Sequence, residues 1–264
     1  MDTTKPEHYS QNSSVQHSLG VEVLQQCMKW EEGDTVLDAG CGTGEICKYI
    51  SQQPGIASVV GFDASPDFVS YASQYNSSTN ILYHVADVSD VTTLKKEWQG
   101  AFSKVVSLSV LHWVQEKAAA LKKLHYCLKP GGEILMTFST DKSKIIRTHL
   151  NMAAHPKWKI YLKDFVPNLF PWPFSDLVNQ HSRLLEDCGF QIISCNVKEH
   201  QQPFESREKL RETFRAVFPH LHYIPQAKHE AFLDDVEKMA RETTLISRDY
   251  KIIGGSQVVH ARKL

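Results

Sequence analysis

Residues 36–46, VLDAGCGTGEI, set one carboxylate, Asp38, ahead of three glycines, Gly40, Gly42 and Gly44. The residues before this run read as a strand and those after it as a helix. Glycine at such a junction lets the backbone turn tightly and approach a ligand without a Cβ in the way. The helix that follows opens with free N–H groups. A dinucleotide or a smaller nucleoside could use this loop, so the glycines alone do not choose between them.

Three details favour S-adenosylmethionine. The spacing is G-x-G-x-G rather than G-x-G-x-x-G, which leaves room for a compact nucleoside at the third glycine. Asp38 would repel a pyrophosphate but could hold the ammonium of a methionine, directly or through water. Asp63 closes the next apolar stretch, VVGFD, where a carboxylate can accept both ribose hydroxyls.

A second group of chemically able residues ends the apolar run SLSVLHWVQE, which reads as a buried strand and carries His112 and Trp113 at its end. Both side chains can donate a hydrogen bond, and an indole face can sit against a sulfonium charge. Methyl transfer to a carboxylate needs no general base, because that group is already ionised at neutral pH. It needs an oxygen held in line and water excluded. An amine or phenol acceptor would instead require a proton to be removed, with His112 as the base. The pair could also simply pack under a lid and cap the next helix.

The elements that must position these residues alternate regularly. TVLDAG, SVVGFDAS, ILYHVADVSD and KVVSLSVLHW read as strands, each followed by a helix: GEICKYISQQ, PDFVSYASQY, the short LKKEWQ and EKAAALKKLHYCL. KPGG is predicted to be a turn before the strand EILMTFST. This order predicts a doubly wound α/β fold, a mostly parallel seven-stranded sheet covered on both faces, with the ligand beyond the carboxyl ends of the strands. A helix over VEVLQQCMKW precedes it. The later stretches FSDLVNQHSRLLEDCGF, REKLRETFRAVFPHL and AKHEAFLDDVEKMARETT read as helices, and QIISCNVKEHQQPF and YKIIGGSQVVHARK as strands.

The chain has 264 residues, 42% hydrophobic and 22% charged, with 29 Lys and Arg against 30 Asp and Glu. That balance gives no electrostatic reason to expect nucleic acid or an anionic membrane as partner. No segment reaches membrane-spanning length, the polar start MDTTKPEHYSQNSS does not read as a signal peptide, and six cysteines form no CxxC pair. A reducing, cytoplasmic setting is expected. Despite 13 histidines, no spacing of His, Cys or acids completes a metal site. The two histidines of HLHY do not share a helix face, and the charge-rich helix 228–243 reads as a solvated face.

DAGCGTG, GFDAS, VADV and LKPGGE, in that order over 34–140, resemble the class I S-adenosylmethionine-dependent methyltransferases. With YSQNSSVQ, LHWVQ, FSDLV, LLEDCGF and FLDD added, nearly the whole chain is similar to the juvenile hormone acid O-methyltransferases and their relatives. The resemblance implies that Asp87 and Val88 frame the adenine. It also implies that Gln16 and Trp113 orient a substrate carboxylate, with His112 lining the same space. The expected cofactor set is Asp38, Gly40, Cys41, Gly42, Gly44, Asp63, Ala64, Asp87, Val88 and Ser109, with Cys41 contributing backbone rather than thiol. The expected division is one methyltransferase domain over 1–264, with a cap segment (1–33), a cofactor-binding core (34–140), and lid and pocket helices interleaved with the last strands (141–250). Trp158, Tyr161, Phe165, Phe170, Trp172 and Phe174 crowd a Pro-punctuated insertion that could wall an apolar tunnel for a terpenoid or fatty acyl acceptor. No short motif there fixes which acceptor, and oligomeric state is not legible.

Overall fold

The computed structural model describes residues 4–139, 143–165 and 177–264. Its strands are β1 (Asp34–Ala39), β2 (Ile56–Asp63), β3 (Ile81–Val85), β4 (Phe102–Leu108), β5 (Leu128–Phe138), β6 (Phe190–Pro203) and β7 (Lys251–Lys263). They form one seven-stranded sheet in the order β3-β2-β1-β4-β5-β7-β6. Neighbours from β3 to β5 are parallel, while β7 runs antiparallel to both β5 and β6. This is the mostly parallel sheet the sequence predicts. Central β1 and β4 are buried almost throughout, as continuous apolar strands covered on two faces must be.

The helices are α1 (Pro6–Asn12), α2 (Ser14–Cys27), α3 (Glu45–Ser51), α4 (Pro66–Tyr75), α5 (Lys117–Cys127), α6 (Lys144–Ala153), α7 (Leu177–Asp187), α8 (Arg207–Val217) and α9 (His229–Glu242). One apolar cluster, including Leu37, Phe62, Leu124 and Met136, joins the sheet to α5 and the end of α7. A second, with Leu24, Ile50, Val59 and Leu135, joins it to α2 and α3. A third lies over the carboxyl end of the sheet, where Met152, Phe214, Phe232 and Val236 bring α6, α8 and α9 together. Burying each such side chain stabilises the fold by roughly 1.5–3 kcal/mol. The helix 228–243 is therefore more than a solvated face. α9 buries Phe232, Leu233 and Val236, and its Asp234 and Glu230 receive Arg211 of α8 at 2.7 and 2.9 Å. Among the described residues no helix is long and apolar enough to cross a membrane.

Four local expectations change. β4 stops at Leu108, because Ser109 takes φ +61° and its N–H turns to the Thr137 carbonyl at 2.8 Å. His112 and Trp113 then sit on a 3-10 turn, Leu111–Trp113, instead of on a strand. KPGG is a bulge within β5 and not a turn ahead of it: pairing passes from Phe102↔Leu128 to Lys104↔Glu133, leaving the intervening residues looped out. LKKEWQ shortens to a 3-10 turn at Lys96–Trp98. The helix expected over VEVLQQCMKW begins earlier, at Ser14, and α1 precedes it.

Candidate active site

The order of the sheet reverses between β1 and β4, and a cavity of about 830 Å³ opens there beyond the strand ends. Its floor is the glycine loop. Gly40 adopts φ +82°, and a Cβ on it would stand 2.4 Å from Val110 Cγ2, so only glycine fits. The amides of Gly40 and Cys41 both donate to the Phe62 carbonyl, at 2.8 and 2.9 Å. Gly44 does not line the cavity. Its φ is +89°, and a Cβ would press on the Tyr83 hydroxyl at 2.6 Å and on Ala72 at 2.8 Å, so it packs α3 against the sheet.

Asp63 ties two loops together. One carboxylate oxygen accepts from Gly42 N at 3.0 Å and the other from Ser65 N at 2.9 Å. Burial raises its pKa, and the amide bonds pull the other way. Asp38 is 2% exposed. Burial pushes its pKa up to about 7, against the thiol of Cys47, which donates to it at 3.2 Å, and with the negative charge of Asp63 nearby. A buried carboxyl displaced in this way lacks a cation. Asp87 shapes the turn after β3, where its carboxylate accepts from Ser89 N at 2.7 Å, and Val88 beside it is buried. Ala64 and Ser109 complete the wall.

The cap closes one side. In α1, Tyr9 lies with its ring 5.2 Å from that of Phe68, and Ser10 Oγ donates to Glu45 at 2.5 Å. His8 meets Glu212 of α8 at 3.0 Å, so α1 touches both the glycine loop's helix and the upper helices. Gln16 of α2 reaches the cavity, and its Oε1 has no partner.

His112 and Trp113 line the same space, with ring centroids 5.3 Å apart. His112 is 8% exposed, and its Nδ1 accepts from Ser139 N at 3.3 Å. Its remaining nitrogen, Nε2, therefore carries the proton and can only donate. Burial, reinforced by Lys117, lowers the pKa of this ring to about 3, so it is neutral at physiological pH.

The structure thus brings Gln16, His112 and Trp113 to one cavity with every expected cofactor residue except Gly44. Five acids line it, Asp38, Glu45, Asp63, Asp67 and Asp87, and no Lys or Arg among the described residues does. That wall suits a ligand with a surplus of positive charge. S-adenosylmethionine, with an ammonium and a sulfonium against one carboxylate, is such a ligand.

Residues 37–136 match the family model described as a methyltransferase domain. The chain is 28% identical to juvenile hormone acid O-methyltransferase of Drosophila melanogaster, over 87% of this chain and 79% of that one. It is 24% identical to the Bombyx mori protein of the same name, over 97% and 96%. Residues 37–136 thus carry a class I S-adenosylmethionine-dependent methyltransferase domain. S-adenosylmethionine is its methyl donor. The methyltransferase also shares its fold with phosphoethanolamine N-methyltransferase 2 of Haemonchus contortus, at TM-score 0.60 and 16% identity, covering 93% of this chain and 52% of that one. A [4+2]-cyclase has the same fold at TM-score 0.59 and 21% identity, with 93% and 80% covered.

The aromatic insertion divides in the methyltransferase. Phe165 lines the cavity, whereas Trp158 and Tyr161 do not. Trp158 is instead 1% exposed in the upper core, its Nε1 donating to Asp235 at 2.9 Å and its ring edge-on to Phe232. Phe170, Trp172 and Phe174 lie outside the described residues. Sequence reasoning missed Tyr9, Phe214 and His149, which also line the cavity. A signal for His149 was available: Ile146, His149 and Met152 fall three residues apart in KIIRTHLNMA, on the face that α6 buries.

Proposed function

We propose that the methyltransferase esterifies the carboxylate of a small apolar acid, an isoprenoid or fatty acid. The observation that carries this reading is the state of His112: a neutral ring whose Nδ1 is engaged by Ser139 and whose Nε2 can only donate. Such a ring is a hydrogen-bond donor and a poor base. It suits an acceptor that arrives ionised, and it disfavours an amine or phenol that must lose a proton. The two relatives named for juvenile hormone acid support the same class. The apolar half of the cavity, with Ile145, Phe165, Phe214, Val217 and Leu245, supports a hydrocarbon tail.

Bound S-adenosylmethionine supplies an electrophilic methyl. The chain's own part is to hold and to dry. The Gln16 side-chain amide, His112 Nε2–H and Trp113 Nε1–H would donate to the acceptor carboxylate and fix one oxygen in line. Asp38 and the loop amides would hold the methionine end, Asp63 the ribose, and Asp87 and Val88 the adenine edge. The cap of α1 and α2 would exclude water. Positioning of this kind lowers a barrier by several kcal/mol, with a ceiling of about 7–11 kcal/mol.

The test is purified protein with labelled S-adenosylmethionine and a panel of terpenoid acids, fatty acids, phenols and amines, the products read by mass. Methyl esters of apolar acids are expected. Methylated amines or phenols alongside inert acids would overturn the reading.

A further inference from the structure

The chain as a whole is nearly neutral, with 29 Lys and Arg against 30 Asp and Glu, but its charge is unevenly spread. The stretch from 144 to 163 carries Lys144, Arg147, Lys157, Lys159 and Lys163, and no Asp or Glu. It consists of α6 and the turns that follow, and both ends adjoin the cavity. Ile145 and Ile146 line the cavity at one end, and Phe165 does so two residues beyond Lys163. The turns are held to the body from beneath: Trp158 and Leu162 are buried, and Trp158 Nε1 and Lys157 Nζ both donate to Asp235 of α9, at 2.9 and 2.7 Å. Lys157 is thereby neutralised.

The side chains between these anchors turn outward. Ile160 is 70% exposed, and the exposed Lys159 and Lys163 pair with no acid among the described residues. Lys228, just ahead of α9, joins them with its ammonium 5.9 Å from the centre of the Tyr161 ring. The acid within 155–165 is Asp164. Phe165 in turn meets the ring of Tyr223 edge-on, with centroids 5.4 Å apart. Tyr223 lines the cavity and is 44% exposed, so it stands at the cavity's mouth. Lysines by themselves fit any polyanion. Ile160 chooses between polyanions, because an exposed aliphatic side chain gains nothing from a nucleic-acid backbone. On a bilayer it is buried at the headgroup boundary while the ammonium groups stay among anionic headgroups.

We infer that this face docks on an anionic lipid surface, with Lys159, Lys163 and Lys228 among the headgroups and Ile160 set into their boundary. Docking of this kind is peripheral. It brings the mouth at Phe165 and Tyr223 beside the layer in which apolar acids dissolve. The inference goes beyond the carboxyl-directed reading, and its test does not depend on that reading.

The test is sedimentation of the full chain with vesicles of phosphatidylcholine, either pure or with about one-third phosphatidylserine. Wild type should bind the anionic vesicles at least about tenfold better than the neutral ones, and salt at about 0.5 M should release it. The double variant Lys159→Gln, Lys163→Gln should bind them about thirtyfold more weakly, roughly fivefold for each charge removed. Ile160→Ser leaves every charge in place and should still weaken binding about fivefold. These three side chains are exposed and do not line the cavity, so thermal unfolding of both variants should match wild type. Equal binding to the two kinds of vesicle, or anionic binding that the double variant retains, would overturn the inference. So would Ile160→Ser binding like wild type, or tighter binding to single-stranded RNA than to vesicles, since either would leave only a general polyanion contact. Methylated amines or phenols in place of acids would remove the carboxyl-directed reading and leave this one standing.

Discussion

Asp38→Asn should make the cofactor-free protein more stable and a worse methyltransferase. The substitution keeps the shape and the oxygen that accepts from Cys47, and removes only the ionisation. Asp38 titrates near 3.8 when exposed and at about 7 when folded, chiefly because it is buried. The folded state therefore holds this proton more tightly than the unfolded state. Its cost to stability is absent below the unfolded value, grows as pH rises from about 4, and is complete above about 7. A gap of this size corresponds to about 4 kcal/mol at most. The gain from Asp38→Asn should be about 2 kcal/mol near pH 5 and about 4 kcal/mol near pH 8. Urea unfolding of both proteins without cofactor, at those two pH values, measures it. A variant no more stable than wild type near pH 8, or a gain that does not change with pH, would refute the reasoning. Calorimetry supplies the other half: wild-type affinity for S-adenosylmethionine should fall as pH drops through 7, and that of Asp38→Asn should be weaker and flat.

Three further outcomes follow from the same geometry. Gly40→Ala adds a Cβ 2.4 Å from Val110 at φ +82°, so thermal unfolding should show a loss of at least about 2 kcal/mol together with loss of cofactor binding. His112→Leu should lower kcat/KM for the acid at least tenfold, about 1.4 kcal/mol, with cofactor affinity unchanged, while at saturating S-adenosylmethionine the wild-type rate shows no limb between about pH 5.5 and 8, because burial lowers the pKa of the ring to about 3. Tyr9→Ala removes the ring beside Phe68 and should speed cofactor dissociation by roughly tenfold in a stopped-flow displacement assay.

What the sequence disclosed was what is local. The glycine loop, Asp63 and the strand-helix rhythm are written in contiguous residues, so the sheet and the cofactor side of the cavity could be read directly. The positive φ of Ser109 could not, since serine carries no steric signal for it; the bond to Thr137 that fixes it comes from the next strand. Trp158 looked like a tunnel wall until Asp235, far along the chain, claimed its N–H. His149 is placed only by Phe218, far along the chain, whose ring stacks on its own. Long-range pairing of this sort leaves no mark on a window of sequence.

The cap has a kinetic corollary. Through Ser10 it grips Glu45 at the head of α3, and through His8 it grips Glu212 on α8. One short helix is thus fastened to the glycine loop's helix and to α8 at once, and both clasps must release for it to swing away. Exchange of spent cofactor and escape of the methylated product then share a single opening event. Their rate constants should converge, and solvent viscosity should slow them in parallel.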